Sequence, residues 1–486
     1  MKRPNILFVM TDDHAAHALS AYGSVINQTP HLDRIAAAGV RCDAAYCTNA
    51  ICTPSRGSIL TGQHTHVCGV RTLHDHLDNR HDPQLQRLLK AAGYRTAIFG
   101  KWHLGSGPNP DGTNSDPNGF DDWAVLPGQG DYYDPTFYTG SHDGQNSVRA
   151  GTLQATGYVT DLITDMSLRW LDRWQATTGE DEPFFLCVHH KAPHREWEPG
   201  PQEKHLYDGQ TMPEPETLFD DYATRPAAAA ARMRIDQDLQ YKDVKANPPA
   251  GLSPRERKLW YYDRYIKDYL RCVAGVDRNV GRLLDKLQAM GLMDDTVVVY
   301  TSDQGFFLGD HGWYDKRFIY EHSFRMPLLV SYPRKHPAGT TSDAFVTNVD
   351  FAPTLLQFAG VETPAAMQGR SAADVLVGDP PADGQQSVYY RYWMDAERTH
   401  HTTSHYGVRT RRHKLVYFYA DPLDCTGSGQ VNVGVEPYWE LYDLTADPNE
   451  LTNIYGRPGT EAVTAELKAE LARLQKQFAD EPQHAE

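Results

Sequence analysis

Along this chain, short apolar runs that end in polar residues alternate with stretches of helical periodicity. NILFVMTDD (5–13) predicts a buried strand with two acids beyond its carboxyl end. TPHLDRIAAAGV (29–40) and PQLQRLLKAAGY (83–94) predict helices, and the glycine of the first suits a helix end. RTAIFGKWHLG (95–105) and PFFLCVHHKAPH (183–194) predict two more strands with polar groups at their ends. Between them, TDLITDMSLRWLDRWQ (160–175) predicts an amphipathic helix. A long helix over VAGVDRNVGRLLDKLQAMGLMDD (273–295) leads into a fourth strand, TVVVYTSDQG (296–305). Helix alternating with buried strand predicts a largely parallel sheet covered on both faces. Any ligand would lie beyond the carboxyl ends of the strands.

Two stretches break this rhythm. Residues 105–150 are rich in Gly, Asp, Asn and Pro, and residues 195–255 mix Pro, Ala, Tyr and charged residues. Both read as insertions over the strand ends, since loops longer than about 15 residues in compact domains are often functional. Beyond residue 370 the pattern changes. SVYYRYWMD (387–395), YGVRTRRHKLVYFY (406–419) and WELYDLTADPNE (439–450) predict antiparallel strands, and TEAVTAELKAELARLQKQFA (460–479) a closing polar helix. The expected division is a main α/β domain over 1–370 and a smaller α+β subdomain over 371–486.

Composition narrows the function. The net charge of −16, from 47 basic and 63 acidic side chains, argues against a nonspecific nucleic-acid binder. It does not forbid an anionic substrate, because the local field decides what enters a pocket. The seven cysteines form no C-x-x-C pair and are too sparse for a disulfide scaffold. The N-terminal apolar run is too short for a secretory core, and no run is long enough to span a membrane. The expectation is a cytoplasmic protein with no membrane or nucleic-acid partner.

The strand ends carry the chemistry. Asp12 and Asp13 follow the first strand, and Asp303 and Gln304 follow the fourth. Three carboxylates and an amide oxygen are hard ligands, suited to Ca²⁺ or Mg²⁺ rather than zinc. Either pair alone reads as a helix cap or turn; the repeat at two strand ends favours a cation. Lys101 and His103 in GKWHLG, His194 in KAPH and Lys316 in GWYDKRFIYE gather cations and imidazoles at the same edge, as an anionic tetrahedral group requires. CTPSR (52–56) adds a helix start. Pro54 suits the first helical position, with a helix from Ser55 through Leu60. Cys52 would then sit just ahead of its positive end, with Arg56 one turn inside. A thiolate nucleophile fits such a place, but an oxygen nucleophile suits a hard-cation site better.

With these residues, the chain resembles a type I sulfatase of the alkaline phosphatase superfamily. CTPSRGSILTG matches the Cys-x-Pro-Ser-Arg signature, and PNILFVMTDD, GKWHLG, KAPH, TSDQGFFLGDHGWYDKR, YEHSFRMPLLV and ELYDLTADPNELTN follow in family order. The resemblance implies a large, mostly parallel sheet sandwiched by helices. It implies oxidation of Cys52 to Cα-formylglycine by a formylglycine-generating enzyme, with Thr53 to Arg56 part of the sequence that enzyme reads. It also implies a Ca²⁺ or Mg²⁺ ion held by Asp12, Asp13, Asp303, Gln304 and the modified residue 52. Many relatives carry asparagine where this chain has Gln304, which offers the same amide oxygen one methylene further out.

The mechanism so implied is in-line attack on sulfur by the hydrated aldehyde, activated by the metal and Arg56. Lys101 and Lys316 hold the sulfuryl oxygens, and His194, or second Lys316, protonates the leaving oxygen. His103 then takes a proton from the remaining hydroxyl, and sulfate is expelled. Asp310 and His311 stand either to contact substrate or to anchor their loop. The implied substrate is a small sulfated sugar, such as a glucosamine 6-sulfate or a uronate sulfate, with aryl sulfates also turned over. Trp123, Tyr132, Tyr133, Trp197 and Tyr207 are candidates for the pocket wall. The alternatives are a phosphonate monoester or phosphodiester hydrolase, which tends to carry histidine at position 304, a noncatalytic carbohydrate- or metal-binding protein, and a two-metal phosphatase-like enzyme.

Overall fold

The structure, a computed structural model, describes residues 3–480 except 110, 111, 113, 143–146, 179–181, 336 and 378–383. Its main sheet is built from β1 (Asn5–Thr11), β2 (Val40–Cys42), β3 (Arg95–Lys101), β4 (Asp122–Leu126), β5 (Thr136–His142), β6 (Ser147–Gln154), β7 (Phe184–His189), β8 (Thr296–Ser302), β9 (Leu328–Ser331) and β10 (Thr340–Ser342). The strand order is β10-β2-β9-β8-β1-β7-β3-β4-β5-β6. The central run from β8 to β4 is parallel, whereas β9 pairs antiparallel to β8, and β5 and β6 run antiparallel at the far edge.

The central strands are apolar throughout because both faces are covered. On β1, Ile6, Phe8 and Met10 enter one core with Val297 and Val299 of β8. Leu7 and Val9 enter the opposite core with Val298 and Tyr300. Burial of such side chains contributes roughly 1.5–3 kcal/mol each. Helices α1 (Pro30–Ala38), α2 (Cys52–Thr61), α3 (Leu85–Ala91), α4 (Val159–Thr177) and α5 (Pro254–Ala289) cover the faces. A second sheet, of β11 (Ser387–Tyr392), β12 (His405–Thr410), β13 (His413–Phe418) and β14 (Tyr438–Asp443), is wholly antiparallel. One of its faces carries the terminal helix α6 (Glu461–Phe478), through Leu467, Leu471 and Leu474. The other, with Val388, Tyr390 and Phe418, joins a core of the main sheet.

The fold class is the expected one, with three differences. Residues 105–150 are not purely an insertion: β4 joins the parallel sheet and β5–β6 form its edge hairpin. An edge hairpin is half exposed, so it leaves no continuous apolar run to read. Helix α5 starts at Pro254, well before residue 273, behind a capping box of Ser253 and Glu256. Helix α2 begins at Cys52 itself, with Pro54 in its third position. The amides of the first turn have no intrahelical acceptor, so a proline there costs no helical hydrogen bond.

Candidate active site

The register of the sheet sets the site. β1 and β8 are parallel neighbours with Thr11 opposite Ser302, so Asp12, Asp13, Asp303 and Gln304 emerge side by side at one edge. The Asp303 amide donates to the Thr11 carbonyl at 3.2 Å, and the Asp13 amide to Asp303 Oδ1 at 3.2 Å. Asp13 turns through the left-handed region, φ 68°, and its carbonyl accepts from the Tyr269 hydroxyl at 2.7 Å. One oxygen from each of Asp12, Asp13 and Asp303 lies within 4.8 Å of the others.

The start of α2 is bolted to these acids. Cys52 Sγ lies 3.1 Å from Asp12 Oδ1. The Ser55 hydroxyl donates to the Asp303 carbonyl. Arg56 Nε donates to Asp303 Oδ2 at 2.9 Å, and its Nη1 to the Lys101 carbonyl at 2.9 Å. Thr53 Oγ1 donates to the His103 carbonyl at 2.9 Å, which ties the end of β3 to the same turn. Lys101 Nζ pairs with Asp12 and also donates to the Gln129 side-chain oxygen. Lys316 Nζ reaches Asp13 Oδ1 at 2.6 Å.

Charge and burial work against each other here. Burial raises Asp303 to about 8, aided by the Asp12 charge, and raises Asp13 to about 6 against the pull of Lys316. Burial also opposes ionisation of Asp12, but Lys101 and the neighbouring cations outweigh it and hold its carboxyl well below the usual range. Burial and then Asp12 push the Cys52 thiol up, so its sulfur stays protonated and is a poor nucleophile as cysteine. Burial holds the His194 and His103 imidazoles neutral. For Lys316, burial is outweighed by Asp13, which keeps the ammonium charged. The His194 Nδ1 faces the Arg195 carbonyl at 2.6 Å, an acceptor only, so Nδ1 carries the proton. Its Nε2, 3.8 Å from Asp13 Oδ2, is then the nitrogen free to exchange protons.

The donor set fits a hard divalent cation. Three crowded carboxylates in a dry site repel one another unless a cation joins them. The Gln304 Oε1 is buried and lacks a hydrogen-bond partner, while its Nε2 donates to Asp13 Oδ1 at 2.5 Å. An orphaned amide oxygen beside three carboxylates is a fourth hard ligand. A second group, Asp12, Cys52 and His194, also converges within 4.8 Å, which brings residue 52 and the His194 imidazole to one point.

A family model described as Sulfatase matches residues 4–361, and one described as N-sulphoglucosamine sulphohydrolase, C-terminal, matches residues 309–477. The chain belongs to the sulfatase family. This sulfatase is a sulfuric ester hydrolase. It is 40% identical to an N-acetylglucosamine-6-O-sulfatase of Bacteroides thetaiotaomicron, over 99% of this chain and 87% of the relative. It is 28% identical to an N-acetylglucosamine-6-sulfatase of Homo sapiens, over 93% of this chain and 81% of the relative. A solved structure of a protein in complex with its substrate D-glucosamine-2-N,6-O-disulfate superposes with a TM-score of 0.88 at 39% identity, covering 99% of both chains. A phosphonate monoester hydrolase of Agrobacterium radiobacter shares the fold, with a TM-score of 0.75 at 21% identity over 98% of this chain and 96% of its own.

Beside the buried cluster of this sulfatase lies a cavity of about 780 Å³, lined by Lys191, His194, Gln129, Tyr132 and Tyr133 among others. Of the five aromatic residues expected in the wall, Tyr132 and Tyr133 line it. Trp123 does not: it sits on β4 with its ring in the sheet core. Trp197 is fully buried against Tyr265. Tyr207 is tied to Asn27 Oδ1 at 2.5 Å and packs on the helical side of the core. Asp310 and His311 act as loop anchors. Asp310 faces His17 at 3.2 Å and His322 at 3.3 Å, and His311 Nδ1 faces Asp220 at 2.7 Å.

Sequence reasoning missed Gln129, Lys191 and Asn348. Gln129 contacts Lys101 from within the 105–150 stretch. Lys191 stacks over Tyr132 at 4.8 Å and opens the KAPH motif, so its place beside His194 is a signal the sequence does carry. Asn348 Nδ2 donates to Ser55 Oγ at 2.9 Å, 293 residues away in the chain, with no pattern to announce it. No helix among the described residues is long and apolar enough to cross a membrane.

Proposed function

We propose that this sulfatase hydrolyses a carbohydrate sulfate, with a 6-O-sulfated glucosamine as the first substrate to test. The observation that carries the reading is the helix start at Cys52, its sulfur 3.1 Å from Asp12 and its Arg56 bound to Asp303. The naming of a 40% identical relative and the disulfated glucosamine in the superposed structure support the sugar class.

In this reading Cys52 functions as Cα-formylglycine, whose hydrated aldehyde supplies an oxygen nucleophile. Cys52 is 1% exposed and residues 53–56 are buried with it. A formylglycine-generating enzyme must therefore act before the chain folds. Asp12, Asp13, Asp303 and Gln304 would hold a Ca²⁺ or Mg²⁺ ion, which supplies Lewis-acid neutralisation of the sulfate charge when bound. Lys101 and Lys316 bind the sulfuryl oxygens as charge moves to the bridging oxygen. The His194 Nε2 delivers the leaving-group proton; the entering anion raises its basicity, and the Nδ1 bond to Arg195 fixes the ring. His103, neutral and with Nδ1 unpartnered, takes the proton from the side chain at 52. Tyr133, 40% exposed, presents its ring to the sugar, and Tyr132 backs Lys191 at the same wall.

The test is mass spectrometry of the peptide containing Cys52, made with the modifying enzyme present, joined to a desulfation screen. Formylglycine lowers the mass by about 18 Da. An unmodified cysteine in fully active protein would sink the nucleophile. Faster turnover of aryl phosphonates than of aryl and sugar sulfates would overturn the substrate class.

A further inference from the structure

The loop that carries Lys316 is strained on both sides of it. Asp315 and Arg317 have φ of 79° and 96°, in the left-handed region that side chains with a Cβ avoid. Such a conformation persists only where the surroundings over-determine it. Here the surroundings come from the C-terminal segment. Asp315 Oδ1 accepts the Lys316 amide at 2.9 Å and Arg317 Nε at 3.0 Å. Asp315 Oδ2 faces His400 Nε2 at 3.2 Å. The other face of that imidazole, Nδ1, lies 2.8 Å from Glu397 Oε1, which also accepts the His400 amide at 2.6 Å. Arg317 Nη1 donates to the Tyr392 hydroxyl at 3.0 Å, and the Tyr390 hydroxyl donates to the Arg317 carbonyl. All of these side chains are buried. Thr399, next to His400, lines the substrate cavity.

We propose that His400 is a positioning residue for the reaction: through Asp315 it fixes the backbone of Lys316 and so the ammonium at Asp13. This rests on the reading of Lys316 as a sulfuryl-binding group. Burial works against a charged Asp315, but His400, Arg317 and Lys316 outweigh it and hold its carboxyl well below the usual range. Replacing the imidazole by an apolar ring removes the polar contact that His400 Nε2 makes with Asp315 Oδ2. It also frees the strained turn to relax toward a helix-like or extended backbone. Lys316 would then keep its charge and lose its aim. A shift of about 1 Å in such a group costs on the order of 10²-fold in rate.

The experiment compares wild type, His400→Phe, His400→Gln, Lys316→Ala and the double variant His400→Phe/Lys316→Ala. All are full-length and carry the modified residue 52, and the substrate is N-acetylglucosamine 6-sulfate. His400→Phe should lower kcat by about 10–100-fold, the usual cost of losing a ligand's outer partner, with KM within about twofold. His400→Gln, whose amide N–H can reach Asp315 in place of the imidazole, should recover most of that loss. The double variant should be no slower than Lys316→Ala alone, because the two act as one unit. Wild-type kcat in His400→Phe, or losses that multiply in the double variant, would overturn the inference while leaving the role of Lys316 intact. Full activity in Lys316→Ala would remove that role and the inference with it. If His400→Phe does not fold, the same cycle is run with His400→Gln, and multiplied losses there overturn the inference equally.

Discussion

The buried cluster at the strand ends and the wall of the cavity above it are built on opposite principles. Asp12, Asp13, Cys52, Arg56, Lys101 and Asp303 are almost wholly buried. Cys52 through Arg56 ride on one helix start, and the others on strand ends locked in register with β1. The wall is drawn from loops and one short helical turn: Tyr133 is 40% exposed, and Glu196 and Lys242 form an exposed ion pair. Chemistry that needs atoms held within a few tenths of an ångström sits on rigid elements. Recognition of a variable partner sits on segments that tolerate change. Substitutions in the cluster should therefore act on kcat, and substitutions in the wall on KM.

The largest effect tests the cluster directly. Cys52→Ala removes the proposed nucleophile while leaving its helix, since alanine is a good helix former. We expect kcat to fall by about 10⁴-fold or more, the scale of nucleophile loss elsewhere. Turnover of sugar sulfate within tenfold of wild type would mean that the buried cluster is not the reaction centre. Metal removal comes next. Chelation should abolish turnover and lower the melting temperature together, because the cation would relieve repulsion among Asp12, Asp13 and Asp303. Re-addition of Ca²⁺ or Mg²⁺ at about 100 times its Kd should restore about 2.7 kcal/mol of stability. A melting curve indifferent to chelator and cation would mean that no ion joins these three carboxylates.

What could be read from the sequence follows the same division. β1 and β8 announce themselves because a parallel strand covered on both faces is apolar without interruption, and the acids of TDD and SDQ mark where each ends. β5 is invisible in the sequence because Thr136–His142, one strand in from the sheet edge, is half solvated and has no continuous apolar run. Trp123 misleads for a related reason. Asp121 and Asp122 precede it within a stretch rich in Gly, Asp, Asn and Pro, so the wider composition says loop, although WAVL (123–126) is a buried strand whose Trp123 packs in the core. The anchors of the cluster lie beyond reach altogether. Asn348 meets Ser55, and His400 meets Asp315, across long intervals of chain, and single-sequence periodicity reports only near neighbours.

The wall predicts smaller effects. Tyr133→Ala removes a ring that lines the cavity and donates to the Pro199 carbonyl at 2.5 Å. Loss of one aromatic contact of about 1 kcal/mol corresponds to roughly a fivefold rise in KM. That rise should appear with the sugar sulfate and vanish with a small aryl sulfate, while kcat stays within twofold. A fall in kcat for both substrates would place Tyr133 with the cluster and blur the contrast between the two regions.

The smallest effect is the sharpest check on the wall. Lys242 and Glu196 pair at 2.7 Å, with side chains 57% and 40% exposed, and both line the cavity. An ion pair this open contributes about 0–1 kcal/mol, because water and salt screen it. Lys242→Met should thus leave stability nearly unchanged. It also leaves Glu196 uncompensated beside an anionic substrate, so KM should rise slightly at low ionic strength. The Debye length falls from about 30 Å at 0.01 M to about 8 Å at 0.15 M, so the rise should fade with added salt. A rise of tenfold or more that persists at about 0.15 M would mean that the wall reads substrate charge directly, through a contact as close as those in the cluster.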